Sequence, residues 1–172
     1  YSSFGLIPMC DGQKTIYYDI NGRQKKIVTG ISKVVSNGTR FITKINGSSN
    51  QLLDENLNIL KSAISISGYG SDETFVCEVE DEKYIIIDKF GKSITKKSYN
   101  DIYSLYNETY KFKVGGKFGF LDKSGNEIIL PIFESADNFY EELANVSKDG
   151  KTFGFINKSG SFIIPPIYDA AD

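Results

Sequence analysis

The sequence predicts an all-β protein assembled from tandem copies of one small unit, and three observations carry that expectation. The stretch from Lys117 to Pro131 returns thirty-five residues later as Thr152 to Pro166. A turn residue recurs along the chain as Asp19, Asp54, Asp88, Asp122 and Asn157, separated by 35, 34, 34 and 35 residues, and steady spacing of this kind means one supersecondary unit per repeat. The composition holds twelve Phe and eleven Tyr but no Trp, beside many Ile, a mixture that suits pleated surfaces. The 34-residue period also belongs to helical arrays, but no stretch places apolar residues at i, i+3, i+4, i+7 over a dozen positions.

Each copy is justified in chain order by its turn and the strands around it. At the first turn position Asp caps its own backbone, and three residues later Gly22, Gly91, Gly125 and Gly160 supply a residue that tolerates positive φ, with Leu57 in the second copy. Asp19, Asp54, Asp88, Asp122 and Asn157 are therefore read as structural turns. A calcium ladder is set aside, because the fifth copy accepts Asn. Before each turn lies a strand: Thr15 to Tyr18, Asn50 to Leu53, Tyr84 to Ile87, Phe118 to Leu121 and Phe153 to Ile156. Positions two and four before the turn share a face, and in copies three to five they are Ile86 and Tyr84, Phe120 and Phe118, Phe155 and Phe153, marking that face as core. Upstream strands are Gly5 to Cys10, Arg40 to Ile45, Thr74 to Val79, Tyr110 to Val114 and Leu143 to Ser147. Asp11-Gly12, Asn46-Gly47, Gly115-Gly116 and Asp149-Gly150 link them to the next strand as tight hairpins.

The predicted architecture is thus a single repeat domain over 1–172, with five three-stranded antiparallel meanders of about 34 residues each, at approximately 1–33, 34–68, 69–104, 105–138 and 139–172. An open, twisted stack is expected, with a closed five-bladed propeller as the alternative; 34 residues are few for a four-stranded blade. Connectors run from Thr29 to Gly38, Ile64 to Asp72, Tyr99 to Glu108 and Phe133 to Glu141, the last with a helical turn expected at Asp137 to Glu142.

Several function classes are excluded by composition. The chain has no His, hence no ordinary general base near neutral pH, no Ser-His or Cys-His nucleophile pair and no His-ligated metal. Cys10 and Cys77 lack companions for a metal site and read as free thiols. A net charge of -2 and a pI near 5.3 give no positive field for nucleic acid. No run of eighteen apolar residues and no signal peptide is present, so no membrane span is expected. Opening on Tyr1 rather than Met, the chain is read as a piece of a longer protein.

Gly-Lys-Phe-Gly-Phe-Leu-Asp-Lys-Ser-Gly-Asn-Glu-Ile-Ile-Leu-Pro-Ile-Phe (116 to 133) and Lys-Thr-Phe-Gly-Phe-Ile-Asn-Lys-Ser-Gly-Ser-Phe-Ile-Ile-Pro-Pro-Ile-Tyr-Asp-Ala-Ala (151 to 171) resemble the bacterial WG-containing β-repeat, or KWG repeat, and Asn-Phe-Tyr-Glu-Glu-Leu-Ala (138 to 144) matches its linker. The family's Trp is Phe118 and Phe153 here. Its Gly survives as Gly119 and Gly154 but is Ile85, Gln51 and Ile16 in the earlier copies. The resemblance implies an all-β array without catalytic residues or cofactors, often found beside cell-envelope or interaction modules.

The expected role is a non-enzymatic scaffold that binds a protein or a cell-envelope glycan, in the envelope or outside the cell. A passive spacer is the alternative, and a carboxylate glycosidase a remote third. Exposed aromatics near amide and acid groups suit stacking on a sugar or a protein, which makes Tyr99, Asp101, Tyr103, Tyr106 and Asn107 the candidate ligand-binding residues. The acids Asp72, Glu73, Glu78, Glu80, Asp81 and Glu82, with Lys89, Lys92, Lys96 and Lys97 nearby, read as a solvated edge of facing charges.

Overall fold

A computed structural model describes residues 5–35, 40–45, 49–68, 73–103 and 105–169, with the side chains of 33–35 and 40–45 left aside. Asn46-Gly47 and Asp72 lie outside the described residues, as do the distal parts of the connectors that contain Gly38 and Asp72. Every regular element among the described residues is a β-strand. The chain forms two compact units, residues 1–81 with 86–93 and residues 82–85 with 94–172.

Five sheets follow one another. The first is β1 (Leu6–Cys10), β2 (Lys14–Asp19) and β3 (Gln24–Thr29). The second is β4 (Ile31–Val35), β5 (Arg40–Ile45), β6 (Ser49–Leu53) and β7 (Ile59–Ala63). In the third, β8 (Ser65–Ser67), β9 (Thr74–Glu80) and β10 (Lys83–Asp88) are joined by single bridges from Ile87 to Ser93 and from Tyr84 to Tyr99. The fourth is β11 (Asp101–Ile102), β12 (Thr109–Val114), β13 (Lys117–Asp122) and β14 (Glu127–Phe133). The fifth is β15 (Ser135–Ala136), β16 (Leu143–Ser147), β17 (Phe153–Asn157) and β18 (Phe162–Tyr168).

The meander of three strands is the whole of the first sheet, but in the second, fourth and fifth sheets it is only part of the sheet. Connectors supply an extra first strand, and in β11 and β15 that strand is so short that a four-stranded sheet fits into a 34-residue copy. The helical turn expected at Asp137 to Glu142 is instead a hairpin-like reversal, in which Tyr140 and Leu143 exchange backbone hydrogen bonds of 2.8 and 3.0 Å.

The turns close by one repeated arrangement. In Asp122, Oδ1 accepts from the Ser124 and Asn126 amides at 2.9 Å each, and the Gly125 amide donates to the Asp122 carbonyl at 3.0 Å. Asp19, Asp54, Asp88 and Asn157 accept at the same two offsets. The turn glycines have φ between 75° and 81°. Leu57 adopts φ 63° in their place, although a β-carbon disfavours that region.

Within each unit, core lies between neighbouring sheets: the first and second in one, the fourth and fifth in the other. The residue two before the turn in one sheet meets the residue one before the turn in the next. Tyr17 thus packs with Leu53 and Leu57, and Phe120 with Ile156, Ala144 and Val146. The outer slot four before the turn is polar in the first two copies because it bonds to the next sheet's backbone. There Thr15 Oγ1 donates to the Gly30 carbonyl at 2.8 Å and accepts from the Ser32 amide at 3.0 Å, and Asn50 Nδ2 donates to the Ile66 carbonyl at 3.4 Å. Cys77 is buried, which pushes its thiol up to about 12, while Cys10 is exposed.

Candidate functional site

The five candidate binding residues fall into three different environments. Tyr99 is 3% exposed. Its ring lies 4.6 Å from that of Phe112, and its hydroxyl donates to Glu127 Oε1 at 3.0 Å. Burial first, then the Glu127 carboxylate, raises the pKa of the phenol. Its bridge to Tyr84 occupies the place that Phe133 takes opposite Phe118, so Tyr99 sits in the repeat core, at the edge of a concavity it lines with Lys97 and Glu127.

Asp101 and Tyr103 bind each other. The Tyr103 hydroxyl is raised in pKa by burial, then by the charge of the Asp101 carboxylate, which accepts a hydrogen bond from it. The Lys111 ammonium sits 4.8 Å from the Tyr103 ring centre and 5.4 Å from that of Phe118, and donates to the Ala136 carbonyl at 2.8 Å. Burial lowers the Lys111 pKa against the opposing pull of Asp137 and Asp101. This aromatic box already holds its own cation.

Tyr106 and Asn107 are exposed, as is Tyr103. Tyr106 and Thr109 bond to each other across a two-residue reversal in which Asn107 and Glu108 have φ 45° and 66°. One repeat later, Tyr140 to Leu143 builds the corresponding reversal, with Glu141 at φ 51°. The two lie side by side. The Tyr106 and Tyr140 rings are 5.5 Å apart with their hydroxyls hydrogen-bonded, and Asn107 Nδ2 donates to the Glu141 carbonyl. Lys123 pairs with Glu108 at 2.6 Å and Lys158 with Glu142 at 3.3 Å, tying each reversal to the turn of its own sheet. These exposed pairs fix geometry more than they add stability.

The result is a solvent-facing edge of stacked tyrosines, 40% exposed at Tyr106 and 74% at Tyr140. Beside it is a concavity of about 430 Å³ lined by Asp137, Asn138, Tyr140, Leu143, Asn145 and Phe155. Tyr140 was not among the sequence candidates; its signal was the 34-residue spacing from Tyr106. Asp101 belongs to a separate polar concavity of about 490 Å³ with Glu82, Tyr84, Lys113 and Gly115. Among the acids and lysines read as a solvated edge, Lys89 pairs with Glu73 at 2.5 Å, and Lys97 pairs with Glu127 at 2.7 Å. No group of three or more metal-ligating side chains occurs among the described residues.

Comparison with known families matches the WG containing repeat to residues 86–118, 118–151 and 153–172, half of the chain. The chain belongs to the WG containing repeat family. The WG repeat is out of step with the sheets: residues 118–151 contain β13 and β14 of the fourth sheet together with β15 and β16 of the fifth. The repeat at 118–151 thus staples two neighbouring sheets.

No curated protein sequence matches the chain. Among solved structures, Hsv2 of Kluyvelomyces marxianus is similar over 96% of this chain and 60% of its own, with 8% identity and a TM-score of 0.51, a likeness of fold. Hsv2p of Kluyveromyces lactis is similar over 94% and 60%, with 10% identity and a TM-score of 0.48. The C-terminal WD40 domain of Sif2 is similar over 90% and 53%, with 10% identity and a TM-score of 0.41. This chain spans about 60% of the length of the Hsv2 structures named here.

Proposed function

We propose that this WG repeat array is a non-catalytic binding module that offers its Tyr106 and Tyr140 edge to a protein segment or a cell-envelope glycan. One observation carries the reading: two large aromatic rings from consecutive repeats are held at 5.5 Å on the surface. Tyrosine offers a flat apolar face and a polar tip, the combination that recognises both sugar rings and protein surfaces. The amide of Asn107 and the acids Glu108, Glu141 and Glu142 border it with hydrogen-bonding groups.

The test compares the wild type with the double variant Tyr106→Ala/Tyr140→Ala on a glycan array and in pull-downs from envelope extracts. The expected outcome is loss of binding with a melting temperature close to that of the wild type. Equal binding by both proteins would remove the edge from the account. Absence of any ligand in both formats would favour the spacer reading, which draws support from the stapling of the fourth and fifth sheets by the repeat at 118–151. Replacement by an unrelated rod of equal length, with function retained in the longer protein, would establish it.

A further inference from the structure

The fourth copy carries an ion pair that the third copy lacks. Lys117, five residues before its turn residue Asp122, pairs with Glu134, twelve residues after it. One repeat earlier, the same offsets from Asp88 give Lys83 and Asn100. Asparagine is shorter and uncharged, and its Oδ1 accepts from the Gly115 amide at 3.2 Å. Lys83 therefore has no carboxylate partner among the described residues. Where the fourth copy has its pair, Asn100 lines the polar concavity of about 490 Å³, whose lining residues all belong to the second compact unit. Glu82 and Tyr84 come to it from the entry to β10, Asn100 and Asp101 from the entry to β11, and Lys113 and Gly115 from the end of β12. Its charges stand apart. The Lys113 ammonium lies 4.9 Å from the Phe118 ring centre and forms no ion pair with Glu82 or Asp101, although both carboxylates line the same concavity. The register sets Asp101 opposite Lys113, but Asp101 accepts from the Tyr103 hydroxyl instead, and Glu82 has no partner among the described residues.

We propose that this concavity binds a small zwitterion, an amino acid or a short peptide with free ends, whose carboxylate meets Lys113 and whose ammonium meets Glu82 and Asp101. The charges decide the class. Lys83 and Lys113 balance Glu82 and Asp101, so the surroundings favour neither a simple anion nor a simple cation, whereas a ligand bearing both charges satisfies each side with charge-assisted hydrogen bonds. Because Asn100 Oδ1 is held by Gly115, its Nδ2 remains to donate to the ligand carboxylate, in the place where the fourth copy supplies a carboxylate of its own. The volume falls within the range of about 300 to 1,000 Å³ of small-molecule sites. Both walls come from the third and fourth copies, so the site does not depend on where the chain begins or ends.

Isothermal titration calorimetry of the 172-residue chain with glycine and with triglycine tests this. At least one of the two should bind saturably, and its N-acetylated and C-amidated forms, each lacking one charge, should bind about tenfold more weakly or worse. Tighter binding of glycine supports a free amino acid as the ligand, and tighter binding of triglycine a peptide with free ends. Glu82→Gln and Lys113→Met should each weaken binding by about tenfold or more. Asn100→Glu should abolish it with an undiminished melting temperature, because the longer acid can pair with Lys83 as Glu134 pairs with Lys117. The Tyr106→Ala/Tyr140→Ala variant should bind as the wild type does, since the two sites share no residue, so failure of the tyrosine edge as a binding site leaves this result unaffected. Absence of saturable binding of both ligands to the wild type would overturn the proposal. So would equal binding of the blocked forms, equal binding by Glu82→Gln, or loss of binding in the tyrosine variant. Circular dichroism checks folding, and if Lys113→Met does not fold, Glu82→Gln and Asn100→Glu decide the matter.

Discussion

At the scale of single residues, the fourth turn position shows how two constraints meet at one atom. Gly125 has φ 79°, and a β-carbon there would also stand 2.9 Å from the Ile94 carbonyl oxygen; at Gly91 it would stand 2.7 Å from that of Leu60. The turn at Gly91 therefore nests on β7, and that at Gly125 on the segment around Ile94 that follows β10. Leu57 meets the positive φ without glycine by burying its side chain with Tyr17 and Leu53. Leu57→Gly relieves about 1 to 2 kcal/mol of backbone strain but removes a buried side chain worth about 2 to 5, so a net loss of about 2 kcal/mol is expected in chemical denaturation. A rise in stability would show that strain dominates there.

The turn acids make a pH prediction of definite sign. In Asp122 burial opposes ionisation, but the amides of Asn126 and Ser124 and the Asn126 side chain outweigh it, and the carboxyl lies below its ordinary value. The backbone amides of Arg23 and Asn21 do the same for Asp19, as those of Thr152 and Lys151 do for Asp149. A depressed folded pKa contributes stability that is fully present above the unfolded value of about 4 and is lost as pH falls through the folded value. Asp122→Asn keeps an accepting oxygen, as Asn157 does, but not the charge. Its melting temperature should lie below the wild type at pH 7, and the gap should close under acid conditions. A gap that stays constant down to the lowest pH at which both fold would rule out the ionised cap.

Among elements, the strand pair that carries the Phe-Gly motif is distinguished by a bulge. Phe118 faces Phe133 while Phe120 faces Ile129, so four steps of β14 oppose two of β13; β17 and β18 repeat this between Phe153 and Phe155. The residues opposite the motif glycine, Leu130 to Ile132 and Pro165 to Ile167, lie within the strand, and prolines there cost no ladder bond. The bulge presses the partner backbone onto the motif glycine: a β-carbon at Gly119 would stand 2.6 Å from the Ile129 carbonyl oxygen, and at Gly154 2.5 Å from that of Ile164. In the first two copies β3 and β7 stay in step past this point, and Ile16 and Gln51 fit where glycine otherwise must be. Gly119→Ala should therefore cost about 2 kcal/mol, while Gln51→Ala should cost less than about 1, as measured by denaturant unfolding. Equal costs would mean that the bulge relaxes freely.

That contrast also explains what was legible in the sequence. Turn residues and the two long strands of each copy follow local rules, Asp and Gly at fixed offsets and alternation of period two, so Asp122, Gly125 and the pair Phe118 and Phe120 could be placed from the chain alone. Strands of two residues, such as Asp101 with Ile102, have no period to read, since their partner and not their composition makes them strands. The binding edge was half visible for the same reason. Tyr106 and Asn107 were evident as exposed connector residues, whereas their meeting with Tyr140 and Glu141 depends on how one sheet lies upon the next. Tyr99 shows the opposite failure, an aromatic in a polar segment that the repeat register takes into the core.

For the molecule as a whole, stability resides in the joints between sheets rather than within any one sheet, because each face becomes core only when a neighbour covers it. Phe120 and Phe155 occupy the same place in consecutive copies, but Phe120 is enclosed by Phe133, Phe139 and the strands of the next sheet, with its ring 4.8 Å from that of Phe139. Phe155 lines an open concavity. The most direct measurement is the unfolding free energy of Phe120→Ala beside that of Phe155→Ala. Joints as the seat of stability predict a loss of about 3 to 5 kcal/mol for Phe120→Ala and less than half of that for Phe155→Ala. Equal losses would contradict it, because they would place the core inside each sheet's own strands.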